Sequence, residues 1–178
     1  VGATRRAAGG AARVWVRPCG GGGALGAGCL GGPHASLRPG TVRGDHSKLG
    51  TVVETTNANV GAGAKVPHLS YAGDVTIGEG SNIGAGVIFA NYDGIIKSHS
   101  TVGRHVFVGR DSVVVAPLDT ADGPSIAAGS TVLSGLPPGR LAAGRGAQPH
   151  TPGLARRHPA GHNTHQAAAD PPTGPARP

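Results

Sequence analysis

Between Val66 and Lys97 the chain gathers side chains able to move a proton and hold a polar ligand: His68, Tyr71, Asn82, Asn91, Tyr92 and Lys97. An imidazole titrates near neutrality, so His68 is suited to taking a proton from an attacking nucleophile. The amides and phenols offer hydrogen-bond donors and acceptors, and Lys97 a point charge. Each residue also has a plainer role open to it. His68 can be a turn residue in a histidine-rich chain, Asn82 part of a side-chain ladder and Asn91 a turn cap. Tyr71 can be packing, and Lys97 and Arg38 ordinary surface charges.

These residues are exceptions to a repeat. An aliphatic residue followed by glycine recurs every six positions at Ile77-Gly78 and Ile83-Gly84, with Phe89 in the same register. Val60-Gly61, Val102-Gly103 and Val108-Gly109 share the beat, and Val114, Thr120, Ile126 and Val132 prolong it. Four positions after an anchor comes a second residue, usually small: Ala64, Ser81, Val87, Val106, Ser112. Such a period is neither helical nor simply alternating. It marks a parallel β-helix whose short strands form the sides of a triangular coil, with the anchors stacked inside. The core expected is a narrow column of Val and Ile. That fits 33 glycines and only 3% aromatic residues in 178. The beat breaks from Val66 to Ile77, one residue short, and from Phe89 to Val102, one residue long, the latter across ANYDGIIKSHS. Loops that leave a rigid scaffold are where binding residues tend to sit.

The formal charge of +7 does not mark a nucleic-acid face. From Lys48 to Arg145 seven basic residues meet seven acidic ones, so the excess lies in the flanks. No apolar run is long enough to span a bilayer, and no secretory signal is seen. Cys19 and Cys29 match no zinc spacing and read as free thiols in a flexible segment. Gly21, Gly23 and Gly26 fit GxGxxG, but Gly31-Gly32-Pro33 follows where a helix must open. The division expected is residues 1–32 as low-complexity, disordered sequence, 33–145 as the repeat domain, and 146–178 as a disordered Pro/His-rich tail. The tail's histidines (His150, His158, His162, His165) have no fixed geometry for a metal.

Residues 33–145 resemble the C-terminal acetyltransferase domain of the bacterial bifunctional N-acetylglucosamine-1-phosphate uridylyltransferase / glucosamine-1-phosphate N-acetyltransferase family. The resemblance rests on LRPGT at 37–41, VVE at 52–54, VPHLSYAGD at 66–74, SNIGAG at 81–86, NYDG at 91–94 with Lys97, and VAPL at 115–118. It implies an all-β, left-handed parallel β-helix that forms a cytoplasmic homotrimer with sites between subunits. It implies acetyl transfer from acetyl-CoA to the amine of glucosamine-1-phosphate, for UDP-N-acetylglucosamine and hence peptidoglycan and lipopolysaccharide synthesis. His68 falls on the family's base. Arg38, Tyr71, Asn82 and Lys97 fall on sugar-phosphate positions. Asn91 and Tyr92 fall beside the thioester, where side-chain and backbone donors suit an oxyanion. Ala85, Ala128 and Arg145 correspond to acetyl-CoA contacts, as does Arg110, which stands where the family has a serine. No metal is implied, because the family's magnesium serves the uridylyltransferase half, which the resemblance does not cover.

A second departure is Thr56, where the family has a substrate-binding lysine. The flanks of the family-like region read as non-native sequence without function. Two other readings remain at this point. One is a catalytically inactive β-helical trimerisation scaffold; the other is a hexapeptide acyltransferase with another amine acceptor.

Overall fold

The computed structural model describes residues 13–18 and 23–149, all strand, bridge, turn or loop with no helix. In chain order the strands are β1 (Arg13–Pro18), β2 (Ala24–Leu25), β3 (Leu30–Leu37), β4 (Val42–Arg43), β5 (Lys48–Thr51), β6 (Glu54–Val60), β7 (Lys65–His68) and β8 (Tyr71–Ile77). They continue as β9 (Asn82–Ile83), β10 (Ile88–Ala90), β11 (Ser100–Val102), β12 (Phe107–Val108), β13 (Val113–Val115), β14 (Ser125–Ile126), β15 (Thr131–Val132) and β16 (Leu141–Ala142). Every pairing between them is parallel, each strand bonding to its counterpart one coil away. The result is the parallel β-helix that the six-residue beat predicts.

Three faces follow from the pairing. The first stacks the start of β3 with β5, β7, β9, β12, β14 and β16. The second stacks the end of β3, the start of β6 and of β8, then β10, β13 and β15. The third carries β2, β4, the ends of β6 and β8, and β11. The anchors lie inside as stacked columns: Val60, Ile77 and Val102 on the third face, Ile83, Val108 and Ile126 on the first, Phe89, Val114 and Val132 on the second. The residues four places later are buried with them, including Ala64, Ser81, Val87, Val106 and Ser112. Two of these are serines, which the next coil satisfies. Ser81 Oγ donates to Gly103 O at 2.8 Å and accepts from Val106 N at 3.0 Å.

Both breaks in the beat have a place in the coil. Leu37 pairs with Thr55 and Val42 with Asn59, so the corner between Thr55 and Asn59 is one residue shorter than the one before it. The tightening is repeated in the next coil, where Ala72 pairs with Thr55 and Thr76 with Asn59. Asn57 and Asp74 turn these corners at φ 45° and 46°, in the left-handed region that Asn and Asp tolerate best after glycine. The second break is an outward loop between Ala90 and Ser100. β10 still pairs with β8 and β13, and β11 with β8, so the coil closes beneath the loop.

The coil starts earlier than the expected boundary at Pro33. β1 pairs with β3, β2 with β4, and Leu30 opens β3. Cys29 is not a thiol in a flexible segment: it is 0% exposed, with Sγ 3.2 Å from Gly44 O and 3.4 Å from Ser47 Oγ. Gly26 bonds to Arg43 O at a coil corner, and no helix follows the GxGxxG match. Cys19, Gly21 and the four tail histidines lie outside the described residues. Residues 146–149 fall outside the compact unit that ends at Arg145.

Candidate active site

The edge between the first and second faces lines up four of the expected site residues. Backbone bonds run from Leu69 N to Thr51 O, Gly86 N to His68 O, Asp111 N to Ala85 O, and Gly129 N to Arg110 O. Thr51, His68, Ala85, Arg110 and Ala128 therefore stand at equivalent places in five successive coils. Each is followed by a left-handed residue: Val52, Leu69, Gly86, Asp111 and Gly129, at φ 55°, 53°, 74°, 55° and 68°. Such a bend puts the preceding side chain at the rim. His68 and Arg110 are exposed there, and the small Ala85 lies between them. Among the described residues no hydrogen bond engages either the His68 ring or the Arg110 guanidinium. Both are free to meet a ligand.

A second group forms across the second face and its far corner. Glu54 and Tyr71 are paired neighbours in adjacent coils, and Glu54 Oε1 accepts from Arg38 Nη1 at 3.0 Å. Both partners are about half exposed, so the pair is worth little as stability and more as a means of holding Arg38 in place. The Tyr71 hydroxyl lies over Gly73 and 3.5 Å from Asn91 Nδ2. Asn91, 7% exposed, donates through Nδ2 to Asp74 Oδ2 at 2.5 Å, while Asp74 Oδ1 accepts from Asn57 Nδ2 at 2.7 Å. Asn57, Asp74 and Asn91 thus form a ladder up one corner. The nitrogen end of the Asn91 amide is turned toward Asp74.

The outward loop carries Tyr92 and Lys97, which bridge each other antiparallel across its neck, and the Tyr92 hydroxyl donates to Gly94 O at 2.7 Å. Asp93 Oδ1 accepts from both Ile95 N and Ile96 N at 2.8 Å. Those bonds, with Ile96 first, hold its carboxyl below the ordinary value. Both isoleucines at the tip are exposed. Asn82 lies on the first face, paired with Lys65 and Phe107, and is half-buried. Arg145 is exposed beyond the last strand.

The structure therefore unites His68 with Ala85, Arg110 and Ala128 on one rim, and Tyr71 with Asn91 and Arg38 on the adjoining face. No hydrogen bond joins the two groups among the described residues. Asp74 and Asn57 were not singled out from sequence. Their signal was a seventeen-residue spacing, Asn57 to Asp74 to Asn91, that means something only once the coil length is known. A cleft of about 440 Å³ sits at the C-terminal coils, lined by Thr131 to Pro137 and Arg140 to Gly144, and holds none of these residues. Among the described residues no group of three or more His, Cys, Asp and Glu stands ready for a metal ion, and no helix is long and apolar enough to cross a membrane.

No protein-family model matches the chain. Curated proteins do. The bifunctional protein GlmU of Mycobacterium avium is 51% identical over 153 residues, which are 86% of this chain and 31% of that protein. GlmU of Streptomyces avermitilis is 55% identical over 129 residues, 72% of this chain and 27% of its own length. This chain is a homologue of GlmU. It spans about 30% of the length of the GlmU proteins it matches, over the stretch that contains all the motifs described above. Among solved structures, an N-acyltransferase from Bacillus cereus, AntD, aligns over 65% of this chain and 68% of its own at a TM-score of 0.47 and 12% identity. That likeness is too slight to add to what GlmU homology gives.

Proposed function

We propose that this chain transfers an acetyl group from acetyl-CoA to the amine of glucosamine-1-phosphate, giving N-acetylglucosamine-1-phosphate and CoA. The observation that carries the reading is the rim on which His68, Ala85, Arg110 and Ala128 stand in successive coils. An extended thioester laid along that rim meets a small residue, a cation and another small residue, and ends at an imidazole. Arg110 supplies a charge for a CoA phosphate.

The His68 imidazole takes a proton from the acceptor amine as its nitrogen attacks the thioester carbonyl. The carbon–sulfur bond of the tetrahedral adduct then breaks. CoA leaves as the thiol, taking the proton that His68 holds. Arg38, Tyr71, Asn82 and Lys97 hold the sugar phosphate, and backbone N–H groups near Asn91 and Tyr92 meet the developing oxyanion. His68 stands on the outside of one coil and Tyr92 and Lys97 on the outside of the next, all exposed. This favours a homotrimer in which a neighbouring subunit closes the site.

The test is CoA release from acetyl-CoA with glucosamine-1-phosphate, using the purified chain and its His68→Ala variant. Turnover that needs both the sugar phosphate and His68 supports the reading. No turnover from a protein that sizes as a trimer overturns it in favour of a scaffold. Equal turnover with glucosamine lacking the phosphate points to another acceptor.

A further inference from the structure

We propose that Asp74 is a positioning residue that fixes the Asn91 amide, so that the atom Asn91 offers to a ligand is the acceptor Oδ1. The proposal rests on the acetyltransferase reading for its substrate, but on hydrogen bonding for its substance. An ionised carboxylate can only accept. Asp74 therefore forces the amide nitrogens of Asn57 and Asn91 toward itself, at 2.7 Å and 2.5 Å, and the choice of amide orientation is settled by chemistry. The second N–H of Asn91 lies toward the Tyr71 hydroxyl. Among the described residues no hydrogen bond ends on Asn91 Oδ1.

A free amide oxygen at a nearly buried position selects a ligand group that donates. For an acyl transfer that group is the N–H of the acceptor amine, not the oxyanion. Holding one amine hydrogen on Oδ1 aims the nitrogen lone pair, while the base removes the other proton. The acceptor class that follows is a primary amine, with a hydroxyl in its place bound less well in the attacking geometry. Asn57 completes the device. It gives Asp74 a second donor, so the carboxylate is held in place although its backbone sits in the left-handed region.

The test inverts the polarity of the ladder. Asp74→Asn keeps a residue type that tolerates φ 46° but frees the Asn91 amide to turn over. It is expected to lower kcat by about tenfold to a hundredfold, with the KM for acetyl-CoA unchanged. Asn91→Asp alone sets two carboxylates against each other and is expected to lose more. The double variant Asp74→Asn/Asn91→Asp restores a donor facing a carboxylate and again leaves an acceptor oxygen for the amine. It is expected to recover activity above either single variant. A double variant no better than Asp74→Asn overturns the proposal.

Should the wild-type chain show no acetyl transfer, the acetyltransferase reading fails but the device is still read directly. Nuclear magnetic resonance of the Asn91 side-chain N–H₂ decides. Slow hydrogen exchange lost in Asp74→Asn supports the positioning role, and fast exchange in the wild type overturns it.

Discussion

Arg43 and Val60 pair in adjacent coils at one inward position, so a guanidinium occupies the column that Leu25, Val60, Ile77 and Val102 fill with aliphatic side chains. Arg43 is 2% exposed. Its Nη2 donates to Leu30 O and Ser47 O, both at 2.7 Å, its Nε to Ser47 Oγ at 3.3 Å, and Nη1 has no partner among the described residues. No carboxylate pairs with it among the described residues. Burial lowers the guanidinium's pKa from its ordinary value, with nearby Cys29 acting the other way.

A charge buried without an ionic partner costs more than its hydrogen bonds return. Arg43→Leu is therefore expected to stabilise the coil by roughly 1–4 kcal/mol, the range seen when buried charged groups give way to well-packed apolar ones. Chemical denaturation of the two proteins measures it. An unchanged or lower midpoint would show that the three neutral acceptors compensate the charge in full.

Gly73 leaves the space that the Tyr71 hydroxyl and the Asn91 amide share. A methyl group there would meet both, with Nδ2 at 2.7 Å. Gly73→Ala is expected to displace these two side chains, not the coil, because both can yield by rotation. Activity should fall at least about tenfold while the melting midpoint moves by a few degrees. Unfolding of the variant would place the strain in the backbone instead.

Thr56 pairs with Gly73, beside the same group. A lysine at this position would add a cation next to Arg38 and Tyr71. Thr56→Lys is expected to lower the KM for a phosphorylated amino-sugar by several-fold with little change in kcat, as binding shared by ground and transition states does. An identical KM would remove position 56 from the substrate site.

The Asp93 turn gives a pH signature. Folding lowers the pKa of this carboxyl, since Ile96 N and Ile95 N bond to its ionised form. Its contribution is therefore complete above the ordinary value of 3.8 and is lost as pH falls through the depressed one. Amide exchange of Ile95 and Ile96, corrected for the intrinsic rate, should be flat above 3.8 and accelerate only below it. Asp93→Ala should show the fast rate at every pH. Acceleration already near neutrality would mean that something other than Asp93 holds the turn.

The repeat was legible wherever an aliphatic anchor and a small partner recurred, which is why the columns through Ile77, Ile83 and Phe89 follow from sequence. It was illegible where composition masked it. Cys29 lies in a glycine-rich run and fills the inward position that Ser47, Ala64 and Ser81 fill in the next coils, so it reads as linker until its neighbours are stacked. Arg43 misleads more directly. Val42 beside it looks like the inward residue, yet Val42 is exposed and Arg43 buried. His68 was recognisable by its motif. Its alignment with Arg110 was not, because the loop between Ala90 and Ser100 lengthens the coil between Ala85 and Arg110 and hides the common spacing. The ladder through Asp74 joins residues that are distant in sequence, and no local pattern announces such a contact.

That same loop makes length a free variable at one point of an otherwise metrical structure. Ile88 bonds toward Tyr71 on one side and Val113 on the other, so the wall is continuous where the sequence is interrupted. Doubling such a loop adds only about 0.6 kcal/mol of closure entropy. Descendants of this scaffold can rewrite what the loop recognises, residue by residue or wholesale, without renegotiating how the protein folds.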